Sequence, residues 1–154
     1  MHRPHSRPLS EEEPHVRAAT AARGRRTAEP SQPLRDGDLR ADGTPVSTPT
    51  WYVWDEGRVL INLDESRVRL KHLRRDPRVT LTVLDGENWY THVTLIGRVT
   101  ELRDDEGLAD IDRISSHYTG NPYPDRVRAR VSAWIEVDRW HGWGAMKDSE
   151  QPSP

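Results

Sequence analysis

The stretch Glu65-Ser66-Arg67-Val68-Arg69-Leu70-Lys71-His72-Leu73-Arg74-Arg75-Asp76-Pro77-Arg78 carries six Arg or Lys side chains in fourteen positions. Arginine and lysine at helical spacing can hold an anion, and a phosphate is the ligand such donors suit best. At 100° per residue Arg67, Lys71 and Arg74 fall on one stripe, and Leu70 and Leu73 fall on a neighbouring stripe that can pack down. Ser66 stands where an N-cap would stand. A phosphate there would meet free N–H groups, the positive end of the helix and the Arg67 guanidinium together. The plainer outcome is a solvated amphipathic helix whose cations pair with nearby carboxylates, and on charge pattern alone that outcome is the commoner one.

The rest of the chain limits what the anion can be. The 154 residues suit one domain with a modest core. A formal net charge of -2 argues against a general nucleic-acid binder and makes the basic run a local feature suited to a small ligand. There is no cysteine, which removes disulfides, thiolate nucleophiles and Cys-based zinc sites. No apolar run reaches the ~20 residues of a membrane span and no apolar leader is visible, so a cytoplasmic protein is expected. His92, His117 and His141 are scattered without metal-ligand spacing, and no metal site is expected. No nucleophile or acid–base pair stands out, and the catalytic residue is left unassigned.

Composition divides the chain. All six Trp and all four Tyr follow Thr50, and residues 1–45 lack Ile, Tyr and Trp altogether. Residues 1–39 are expected to be disordered or atypical, residues 40–147 to form the folded domain, and 148–154 to be a disordered tail. Within the domain, PVSTPTWYVW reads as a strand whose Pro49 suggests an edge or a bulge. RVLINL is a second strand, 64–75 a short helix ended by Asp76-Pro77, and RVTLTVLD a third strand. WYTHVTLIGRVTEL is a long strand in which Gly97 marks a bulge. Residues 104–118 read as a helix with Leu108, Ile111, Ser115 and Tyr118 on one face, and RVSAWIEVDRWHGWG as the last strand. Mainly antiparallel strands with two short helices favour a barrel or sandwich partly covered by helices. No glycine-rich phosphate loop is present, so an anionic cofactor would need another cradle.

The order DGTP, a strand ending in WYVWDEG, a further strand, S-R-x-R-x-x-x-L-R-R-D-P-R, a strand, the turn D-G-x-N-W and the strand V-x-L-x-G-R-V resembles the pyridoxamine 5'-phosphate oxidase-like superfamily, and within it the branch of F420-dependent flavin/deazaflavin oxidoreductases. The resemblance runs from about residue 39 to 145. It implies a split β-barrel of the FMN-binding-protein type that forms a homodimer, with coenzyme F420, or alternatively FMN, in a groove at the dimer interface. It carries the phosphate to Ser66, Arg67, Arg69 and Lys71, with His72 beside them where relatives often have Asn. It lays the ring against backbone groups of Ser47, Thr48 and Thr50, with Trp89 lining the groove. The activity implied is hydride transfer from the reduced deazaflavin to a small organic substrate; an FMN enzyme and a non-catalytic cofactor carrier are the alternatives. One departure stands out. Relatives have an apolar first strand before the DGTP turn, whereas TAEPSQPLRDGDLRADG has no such run. A barrel without that strand would expose edges and part of its core.

Overall fold

The computed structural model describes residues 34–147. Seven strands, β1 (Leu34–Leu39), β2 (Pro45–Thr50), β3 (Tyr52–Asp55), β4 (Arg58–Asp64), β5 (Arg78–Leu84), β6 (His92–Asp104) and β7 (Arg130–Trp143), form one sheet in the order β2-β1-β5-β6-β7-β4-β3. Every pairing is antiparallel. Helix α1 (Val68–Arg75) connects β4 to β5, and α2 (Ala109–Thr119) lies between β6 and β7. The two outermost strands, β2 and β3, are separated in the chain by Trp51 alone. A flat sheet cannot satisfy that link across seven strands, so the sheet rolls until its edges meet. The result is a mainly β split barrel, as expected.

The barrel interior is filled by alternating residues. Val59, Ile61 and Leu63 of β4 meet Val79, Leu81 and Val83 of β5, Val93, Leu95 and Val99 of β6, and Ala133, Ile135 and Val137 of β7. The register between β6 and β7 shifts at Ile96/Gly97, where Asp138 becomes the extra residue. That bulge turns Trp140 inward, where it is buried, while Trp143, three residues on, stays half exposed. Outside the barrel, α2 lays Ile111 and Ile114 on Leu60, Val53 and Trp134. This second layer explains why β4 is buried on both faces.

Three elements differ from the sequence reading. A strand does precede the DGTP turn: LRDGDL forms β1 and sits between β2 and β5, with Gly37 opposite Ser47 on one side and Thr80 on the other. Backbone pairing on both edges fixes a polar strand that lacks an apolar pattern, and Asp38 is buried in it, its carboxylate meeting His72. The helix expected at 64–75 begins only at Val68. Asp64 completes β4, and its Oδ1 accepts from both the Ser66 N–H and the Ser66 hydroxyl, so Ser66 is held backwards and does not cap the helix; Arg67 occupies that position. The helix expected at 104–118 begins at Ala109, because β6 runs through Asp104 and the Asp105 carboxylate accepts from the N–H groups of Asp110 and Ile111. The expected irregular segment up to residue 33 and the expected tail 148–154 lie outside the described residues.

A Cβ added at Gly97 would fall on the carbonyl oxygen of Glu136 in the facing strand. Backbone cannot yield as a flexible side chain can. Gly97→Ala is expected to lower stability by about 1–3 kcal/mol, read as a lower denaturation midpoint at unchanged slope.

Candidate functional site

A cleft of about 1330 Å³ opens beside the barrel where β2, the end of β4 and the start of α1 converge. From β2 come Val46, Thr48, Pro49 and Thr50, while Ser47 is exposed and does not line it. From the other side come Ser66, Arg67, Val68 and Arg69, with His72 one helical turn further on. Leu70 and Leu73 are buried and fix the rotation of α1. That rotation turns the Arg69/His72 side of the helix to the cleft and leaves Lys71 and Arg74 exposed, with Lys71 outside the lining. The stripe expected from Arg67, Lys71 and Arg74 is therefore replaced by Arg69 and His72, joined by Arg67 at the helix start. Trp89 sits in the β5–β6 turn, exposed and stacked on Tyr90 with ring centroids 4.2 Å apart, and does not line the cleft.

The cleft also gathers residues that the sequence reading did not single out: Asp38, Asn62, Asp64, Tyr123, Arg128 and Arg130. The run RVRAR just before the last strand places Arg128 and Arg130 two residues apart, on the same side of an extended chain. That second basic run was a usable signal. Five arginines, at positions 40, 67, 69, 128 and 130, face three aspartates, at 38, 42 and 64. The aspartates are engaged. Asp64 accepts from Ser66 Oγ at 2.6 Å and lies 3.4 Å from Arg128. The Ser66 hydroxyl and N–H, then Arg128, hold its carboxyl below the usual carboxylate range. Asp38 Oδ2 is 2.9 Å from His72 Nδ1. Arg130 donates from Nε to Asn62 Oδ1 at 2.5 Å and lies over the Tyr123 ring. Arg69 Nη2 reaches toward Thr50 Oγ1 at 3.4 Å. Arg67 has no side-chain partner among the described residues, so its guanidinium is available to a ligand.

This donor set fits a phosphate. The Arg67 guanidinium, unpartnered among the described residues, stands at a helix start, whose first N–H groups lack intrahelical acceptors, and two threonine residues border the same space. Val46, Pro49 and Val68 supply apolar wall against which a planar ring can lie. Elsewhere the histidines remain apart: His92 Nδ1 contacts the Trp89 carbonyl and His117 packs edge-on to Tyr118.

Ser66→Ala removes the largest influence on Asp64, and its carboxyl is expected to titrate closer to the usual range in an NMR pH titration. A depressed folded value adds stability above the unfolded carboxylate range, and that stability is lost as pH falls through the folded value. The variant should therefore be less stable than the parent at neutral pH, with the difference vanishing in strong acid.

A family model described as pyridoxamine 5'-phosphate oxidase matches residues 39–144. A search of curated proteins finds no match. Among solved structures the chain is similar to an F420 reductase, with a TM-score of 0.66 and 23% identity over 73% of this chain and 90% of that one. It is similar also to a conserved hypothetical protein of Mycobacterium tuberculosis, with a TM-score of 0.58 and 24% identity over 73% and 77% of the two chains. The General Stress Protein 26 of Bacillus anthracis gives a TM-score of 0.60 at 13% identity, over 91% of this chain and 98% of that one. At these identities the structural likeness is one of fold. The family match spans most of the barrel and the whole basic crossover, and the chain belongs to the pyridoxamine 5'-phosphate oxidase family.

Proposed function

We propose that this protein is an oxidoreductase that binds the deazaflavin coenzyme F420 and reduces a small organic substrate. The observation that carries the reading is Arg67: an arginine without a side-chain partner among the described residues, at the start of α1, in a cleft where cations outnumber carboxylates. Arg67 and Arg69 hold the coenzyme's phosphate, and the N–H groups of the first helical turn supplement them. Thr48 and Thr50 orient the ring along β2, and Val46 and Val68 exclude water from its face. Bound there, the deazaflavin supplies hydride chemistry, while the chain supplies binding, orientation and electrostatics. The similarity to an F420 reductase supports this choice of cofactor.

FMN is the second reading, favoured by the family match itself, since its phosphate suits the same donors. In either case we infer a homodimer with the cleft at its interface, working in the cytoplasm. A carrier without turnover would bind the cofactor equally well, and only substrate reduction by the reduced, loaded protein separates it from the enzyme.

Fluorescence titration with F420 and with FMN tests the assignment. Tighter binding of F420 is expected; tighter binding of FMN moves the assignment to a flavin enzyme. Arg67→Ala should weaken the preferred cofactor by about 10- to 150-fold, the loss of about 1.5–3 kcal/mol in a charged hydrogen bond. Lys71→Ala, outside the cleft, should change affinity by less than about twofold. Unchanged affinity in the Arg67 variant removes the basic crossover from the site.

A further inference from the structure

Asp38 is a buried residue of β1, a strand that has no apolar pattern. Its side chain is fully sealed from solvent, and the His72 ring that meets it is 13% exposed. Both line the cleft. Oδ2 of Asp38 is 2.9 Å from Nδ1 of His72, while Oδ1 has no partner among the described residues. Among the described residues, His72 is therefore the side chain through which this buried carboxylate acts on the cleft. The other ring nitrogen, Nε2, has no protein partner among the described residues and is not sealed in. It is the atom that a ligand can meet.

Hydrogen-bond valence then fixes a proton count. A proton lies on the bridge between Nδ1 and Oδ2. If that is the pair's only proton, Nε2 is a bare lone pair and repels an oxyanion. Nε2 becomes a donor only when the pair holds one proton more, whether that leaves an imidazolium facing a carboxylate or a neutral imidazole facing a carboxylic acid. We propose that the Asp38–His72 pair is a proton-coupled anion-binding element of the cleft: an oxyanion of a phosphate or carboxylate group settles on His72 Nε2 together with one proton, and Asp38 is the positioning residue that aims the ring and stores the charge. The natural ligand is that of the proposed function, but the proton coupling needs only an oxyanion in the cleft.

Other charged groups line the same cleft or lie next to it. Asp64, across the cleft, is held below the usual carboxylate range by Ser66 and Arg128, and Asp42, in the β1–β2 turn, is lowered by the Thr44 N–H. The arginines at 40, 67, 69, 128 and 130 stay charged, as does Arg75 of α1, whose Nη2 donates to the Leu39 carbonyl. Lys71 points outward on α1, and the Tyr123 phenol lies under Arg130. Histidine is the side-chain type that exchanges protons near neutrality.

Sulfate keeps one charge state across that range and is the probe of choice. Calorimetric titration of the full chain with sulfate, in buffers of different ionisation enthalpy, should show uptake of about one proton per ion at the upper end of the range, and affinity falling with a limiting slope of about tenfold per pH unit. His72→Gln and Asp38→Asn should abolish the uptake and flatten the pH profile. Arg67→Ala should lower affinity and leave the proton count unchanged. Because Asp38 is buried, the wild-type proton count stands as a test that needs no variant. Sulfate binding by the parent without proton uptake overturns the proposal and leaves the cofactor assignment standing. Proton uptake that persists in folded His72→Gln overturns it as well. Failure of the folded parent to bind sulfate at any pH overturns both the coupling and the phosphate role of the crossover, and F420 titration then decides the cofactor separately.

Discussion

The link between β2 and β3 governs the architecture. These strands stand at opposite ends of the seven-strand order, yet Trp51 alone joins them. The sheet has to curl until the two edges adjoin, and Tyr118 of α2 marks the junction by stacking on Trp51 and accepting from the Tyr52 N–H. Once the barrel is rolled, the cleft-facing side of β2 lies against the crossover between β4 and β5. Thr48 and Thr50 then share a space with Arg67 and Arg69, though nineteen positions separate Thr50 from Arg69 along the chain. Neither the hydroxyls nor the arginines would make a binding site alone.

Within that space the charges are sorted by use. Asp64 is spent on Ser66 and Arg128, and in gripping Ser66 it delays the helix until Val68. Arg130 is anchored by Asn62 and Tyr123. Asp38 is committed to His72. Among the described residues, Arg67 at the helix start and Arg40 in the β1–β2 turn keep guanidinium groups without a side-chain partner. This is the arrangement a phosphate needs where no glycine-rich loop is available. It also gives β1 a role beyond completing the barrel, since the buried Asp38 carboxylate meets His72, which lines the site.

Much of this was legible in the sequence. Period-two alternation in Val79, Leu81 and Val83, and in Val131, Ala133, Ile135 and Val137, marked the inward faces, and Gly97 marked the bulge. Leu70 and Leu73 marked the packed side of α1. β1 was illegible because the signal of a strand is its side chains, whereas LRDGDL is held by backbone pairing to two neighbours and by the hydrogen bond between Asp38 and His72. Lys71 and Ser47 share elements with cleft residues without lining the cleft, Lys71 because of the rotation of α1, and that depends on packing that sequence spacing alone leaves free. Asp64 misled for a local reason: an Asp two residues before a Ser competes with the helix for its first turn. Arg128 and Arg130 were visible as a basic run, but only the folded chain shows that they return to the site.

The proposed cofactor site puts a phosphate at the start of α1 and the ring on β2, and a crystal structure of the protein grown with F420 is its sharpest test. The phosphate is expected against Arg67 and Arg69, and the deazaflavin ring along Val46, Thr48 and Thr50. A coenzyme bound elsewhere, with Arg67 still in solvent, would overturn the assignment.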